Sequence, residues 1–225
     1  MMRRILCLLA ITFCLFAAEE TRRPATVSTT DRLDFAPGGV IRVNGSYGYL
    51  TIEGWDEPSV QITVTKCTDR LYEAGQTDTA ERRLGLVRVM TERRSSTELA
   101  INTARRRKAH VTLDYRILAP RDSQLIIHHG SGFVWVAGMT GDIEAHSHSG
   151  DMILIQSATE RYSIDARTRF GDVSSDFEGV DKSQFLVGDR FTHLVEEPLR
   201  RLFLRMGRGK ITIRRDGPLP SARTN

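Results

Sequence analysis

The feature that most constrains this chain is a strand pattern that changes phase at glycine. Five glycines, Gly48, Gly132, Gly150, Gly171 and Gly209, carry matching flanks. Seven residues before them stand Ile41, Leu125, Ile143, Ile164 and Leu202; five before stand Val43, Ile127, Ala145, Ala166 and Leu204. Three before stand Gly45, His129, Ser147, Thr168 and Met206. Alternation with polar residues is the period-two signature of a strand with one buried face. Beyond the glycine the apolar set moves by one: Leu50, Val134, Met152, Val173 and Ile211 lie two after, and Ile52, Val136, Leu154, Ser175 and Ile213 four after. A bend or bulge at glycine allows that switch, because the residue tolerates the backbone angles it needs. Each unit therefore reads strand, glycine bend, strand, turn. One unit cannot bury its inner face alone, whereas stacked units can. The middle glycines are 18 and 21 residues apart, and Gly209 follows Gly171 by 38, close to two such steps. The expected fold is all-β, a β-solenoid or single-stranded β-helix-like stack of rungs 18–21 residues long; the alternative is a β-sandwich.

Residues 55–119 keep this period poorly. Val60–Thr65 alternates as a strand, Asp69–Arg83 reads as a loop or short helix, and Leu86–Thr91, Glu98–Asn102 and Ala109–Leu118 read as longer strands with charged edges. The expected organisation is a signal peptide over 1–18, an N-terminal lead-in over 19–34, a β-strand-repeat domain over 35–215 and a disordered tail over 216–225.

The signal assignment rests on Arg3 and Arg4, the apolar run Ile5–Phe16, and Ala17–Ala18 before Glu19. That run is shorter than the roughly 20 residues a permanent span needs. Retention as an anchor is the other reading. Cleavage removes two arginines and no acid, so the formal charge falls from +4 to +2. So weak a basic balance in an exported chain makes nucleic acid an unexpected partner. Cys7 and Cys14 leave with the signal, and Cys67 then has no intrachain disulfide partner. The expected compartment is the periplasm, the cell envelope or the outside of the cell. A hydrophobic content of 40% and a charged content of 27% are those of a folded soluble domain.

With these residues in view, the chain resembles the bacterial "putative adhesin" family of β-strand-repeat proteins. The matching pieces are Phe35–Val43 (FAPGGVIRV), Gly48–Asp56 (GYLTIEGWD), the Ser-x-Ser-Gly-Asp rung at Ser147–Asp151, Phe170–Val173 and the closing Gly209–Ile213. Phe133 after Gly132 departs from the aspartate the pattern favours. The resemblance implies an exported envelope β-solenoid and supplies no catalytic residues.

The outward positions hold the candidate site residues. His128, His146 and Arg167 lie four before their glycines, His148 and Arg169 two before, and Glu144 and Asp165 six before. Adjacent strands lie about 4.8 Å apart, so His128, His146 and His148 could converge on one face as ligands for zinc or copper. The competing reading is a solvated face in which Glu144 pairs with Arg167 across rungs; Arg167 and Arg169 suit an anionic sugar or phosphate better than a cation. Asp142, Asp151 and Asp172 follow glycines and suit turn hydrogen bonding. Arg105, Arg106, Arg107 and Lys108 read as an exposed hairpin tip, or as a contact for anionic lipid or acidic polysaccharide. Trp135 and Ile153 share an outward position, either as an apolar patch for a partner or covered by the irregular middle segment. No serine-hydrolase, zinc-protease or phosphate-loop motif occurs. The expectation is a non-enzymatic envelope scaffold or adhesion module that needs no cofactor. Its expected partner is envelope polysaccharide, an anionic lipid surface or another envelope protein. The alternatives are a module for acidic glycan or metal and, further off, a polysaccharide-active enzyme.

Overall fold

A computed structural model of the chain describes residues 22–106, 109–159, 161–184 and 188–216. The signal segment and residues 217–225 of the tail lie outside them. Among the described residues the protein is all-β, apart from a 3₁₀ turn at Ala74–Gln76 and one short helix, α1 (Thr77–Leu84). The strands are β1 (Arg23–Asp34), β2 (Val40–Trp55), β3 (Ser59–Tyr72), β4 (Val87–Arg93), β5 (Glu98–Arg105), β6 (Val111–Pro120) and β7 (Gln124–Ala137). They continue with β8 (Ile143–Ser157), β9 (Tyr162–Phe170), β10 (Val173–Ser175), β11 (Val180–Gln184), β12 (Gly188–His193), β13 (Arg200–Arg208) and β14 (Ile211–Asp216). All join one large open sheet with parallel and antiparallel pairs.

The glycine bend divides that sheet into two arms. Before the bend the order is β4, β5, β2, β7, β8, β13, β9, β12, β11. After it the order is β1, β3, β6, β2, β7, β8, β14, β10. The phase switch is real. Leu125, Ile127 and His129 are buried before Gly132, and Val134 and Val136 after it. Because the parity changes, the aliphatic side chains of both arms belong to one continuous buried cluster. Two arms over a shared core are also compatible with the sandwich alternative.

Close approach explains why the bend is glycine. Gly48, Gly132, Gly150, Gly209 and Gly171 form a column across neighbouring strands. A Cβ on Gly150 would overlap the Gly132 carbonyl, and its φ of +113° is one that other residues rarely adopt. The same overlap repeats from Gly209 onto Gly150 and from Gly171 onto Gly209.

The order of the stack differs from the order of the chain. Ile143 and Ile164 do not pair with each other; both pair with Leu202 of β13, which lies between β8 and β9. The long step from Gly171 to Gly209 is not two rungs, because β11 and β12 form an antiparallel pair beside β9 and consume that length. Aspartates fasten the returning chain: the Asp142 carboxylate accepts the Arg201 N–H at 2.9 Å, and Asp151 accepts the Lys210 N–H at 3.0 Å. The middle region also joins both arms: β5 pairs with β2 before the bend and β6 pairs with β2 after it. The lead-in contains a strand, since β1 pairs along β3 as an edge. Asp216, assigned to the tail, ends β14.

Candidate functional site

The outer face of the first arm carries one in-register row. Starting at β5 it runs Asn102, Asn44, His128, His146, Arg205, Arg167, Arg190 and Lys182. A side chain at the same outward parity on every strand lands in the same column, about 4.8 Å from its neighbours. Polar contacts run along the row. Asn44 Nδ2 donates to Asn102 Oδ1 at 3.0 Å, and Asn44 Oδ1 lies 3.1 Å from His128 Nδ1. The His128 and His146 rings stack with centroids 5.5 Å apart. His146 Nε2 lies 3.0 Å from Glu144 Oε1.

The adjoining column runs Arg42, Ile126, Glu144, Phe203, Asp165 and Thr192. Phe203 therefore separates the two carboxylates. The Arg205 guanidinium lies 3.7 Å from the Phe203 ring centroid, within cation–π range. Asp165 gathers two arginines: Arg205 Nη2 donates to it at 2.7 Å, and Arg190 Nε and Nη2 at 3.3 and 3.4 Å. Burial opposes ionisation of Asp165, but the hydrogen bonds and charges of Arg205 and Arg190 prevail and hold its carboxyl below the ordinary value.

These positions correct two expectations. Glu144 does not meet Arg167, because β13 intervenes; its partner is His146 on its own strand. His148 does not join His128 and His146, since it sits two residues farther along β8, where β7 offers Gly130. Among the described residues no three histidine, cysteine, aspartate or glutamate side chains gather closely enough to hold a metal ion. Arg167 and Arg169 are exposed, and neither has a carboxylate partner among the described residues.

His129 belongs to the inner face. It is buried under the bend, with Nδ1 2.9 Å from Ser46 Oγ, and burial lowers its pKa to about 4. The imidazole is therefore neutral.

The strands on either side of the basic run, β5 and β6, form no hairpin, because they do not pair with each other. Arg105 stacks 4.3 Å over the Tyr47 ring. It borders a cavity of about 550 Å³ lined also by Asp69, Arg106, His110 and Ser131. Arg107 and Lys108 lie outside the described residues. On the outer face of the second arm, Trp135 and Ile153 pair in register and are half-buried beside exposed Tyr49. The middle segment does not cover them: β3 and β6 extend the arm sideways, and α1 rests on β3 and β1.

Sequence reasoning missed Arg205, Phe203, Arg190 and Lys182. The signal for the first two was present, since they stand four and six residues before Gly209, the places Arg167 and Asp165 hold before Gly171.

No helix among the described residues is long and apolar enough to cross a membrane. The chain matches no family model and no curated protein. Among solved structures it is similar to a "putative cell adhesion protein" from Clostridium sporogenes, at 9% identity over 86% of this chain and 100% of that one, with a TM-score of 0.48. A "putative lipid binding protein" from Parabacteroides distasonis matches at 7% identity, 84% and 97% coverage and a TM-score of 0.25. A "putative adhesin" from Parabacteroides merdae matches at 8% identity, 83% and 77% coverage and a TM-score of 0.25.

Proposed function

We propose that this protein is an exported, non-enzymatic β-repeat scaffold or adhesion module, displaying a fixed outer face to a partner in the cell envelope or outside the cell. Export rests on the N-terminal sequence: a basic start, a short apolar run and two alanines before Glu19. The scaffold reading is carried by one observation, the glycine column, which locks five bent segments into register and leaves one parity free on each arm. We read the parallel stack of β2, β7, β8, β13–β14 and β9–β10 as a short solenoid flanked by antiparallel strands. Its partner is envelope polysaccharide, an anionic lipid surface or another envelope protein. Glu144 and Asp165 are already engaged by His146 and by two arginines, which favours a structural duty over acid–base catalysis.

Fractionation of producing cells with N-terminal sequencing tests the compartment. The expected product begins near Glu19 and is found outside the cytoplasm. A cytoplasmic chain that keeps residues 1–18 overturns the reading. A second reading, a module for acidic glycan, is favoured by the arginine row on the first arm.

A further inference from the structure

Arg205, Arg167, Arg190 and Lys182 stand side by side on four consecutive strands. Like charges directly opposite in a sheet destabilise it. One carboxylate, Asp165, serves this quartet, bonding Arg205 and Arg190 from the adjoining column. Arg167, between them, has no carboxylate partner among the described residues, and neither has Lys182. The face adds Arg169, two residues along β9 from Arg167, and exposed Arg201 on β13. The core asks nothing of these cations, since their parity points away from it.

The shape is also specific. Four strands set the cations in an in-register track roughly 14 Å long. The track ends in a cavity of about 630 Å³ lined by Glu178, Val180, Lys182, Arg190 and Thr192. Apolar surface borders it, with Phe203 38% and Val180 57% exposed.

We infer that this track binds an extended acidic polysaccharide, with its carboxylates on Arg167, Arg190 and Lys182 and the apolar face of a sugar ring against Val180. The inference rests on the surface-module reading above and supplies its partner. A repeating anion matches a line of cations strand by strand, and guanidinium forks suit carboxylates. A lipid surface is the weaker match, because the cations lie on a sheet face and lead into a cavity instead of crowning a protruding tip.

The test is titration of polygalacturonate into the purified protein at low and at physiological salt, with dextran as the neutral control. Parallel arms use vesicles of phosphatidylglycerol, the double variant Arg167→Gln with Lys182→Gln, and Arg116→Gln, at an exposed outward position of β6 on the other arm. The expected results are binding of polygalacturonate and none of dextran, affinity reduced about tenfold or more in the double variant, and a shallower salt dependence. Its melting temperature should not fall, since like charges are removed, and Arg116→Gln should bind as the parent does. Absence of polygalacturonate binding, or equal affinity in the double variant, overturns the inference. Binding of the vesicles without binding of polygalacturonate also overturns it and assigns the face to lipid. Cytoplasmic location with intact binding would remove the export reading and leave this one standing.

Discussion

A buried imidazole at the bend ties the stability of the fold to pH. His129 is 4% exposed and its folded-state pKa is about 4, against an ordinary value of 6.5. A base whose pKa is lowered by folding contributes full stability above the unfolded value. As pH falls through 6.5 the unfolded chain takes the proton first, and stability is lost until the folded state also protonates near pH 4. The loss is up to about 3 kcal/mol at 1.36 kcal/mol for each unit of pKa. Denaturant unfolding at several pH values should show this fall, and His129→Gln should flatten it whatever that variant costs at neutral pH. An equal fall in both would place the acid sensitivity elsewhere. Asp165 acts in a lower window: its depressed pKa gives stability that is present above the ordinary carboxylate value and lost as pH falls through the folded one. At this scale much was legible. Alternation placed His129 inward and His128 outward, as found. Which outward residues touch was not legible, because touching depends on which strand lies next, and Arg205 stands between His146 and Arg167.

For the strands, the glycine bend carries the fold. The phase slip could be read directly, since a change of buried parity within one strand requires a local bend. The close approach could not, because it depends on a neighbouring strand's carbonyl. Gly150→Ala should cost about 3 kcal/mol or more, combining overlap with the Gly132 backbone and a positive φ. Gly75→Ala is the matched control, with nothing within 4 Å of the added methyl, and should stay within about 0.5 kcal/mol. Thermal or denaturant melts of the two variants decide it; a mild effect at Gly150 would mean the column can relax. Between β5 and β6 no glycine occurs, and His110 takes a φ of +53°, a conformation that costs a side-chain-bearing residue energy. Adjacency in sequence suggests a hairpin of β5 and β6, yet each pairs with a different arm of β2.

At the scale of the molecule, the sheet is held together by a segment from late in the chain. β13 pairs with β8 on one side and β9 on the other, and β14 continues along β8. Truncation after Glu197 removes both, leaving the facing edges of β8 and β9 unpaired and Ile143 and Ile164 without Leu202. The expected result is loss of the cooperative melt for the whole domain, or aggregation through the opened edges. A truncated protein that melts like the parent would mean β13 is an accessory. The all-β architecture was readable from sequence, because alternation is local. The spatial order of the strands was not, because a 38-residue step is compatible both with two rungs and with one rung plus an antiparallel excursion.

The same interleaving bears on how the chain is born. A ribosome delivers β8 and β9 well before β13, so the partner that completes their pairing is absent while they emerge. Contacts this far apart in sequence form slowly. The facing edges of β8 and β9 therefore stay open until translation is nearly finished, while the strands before them already have their neighbours.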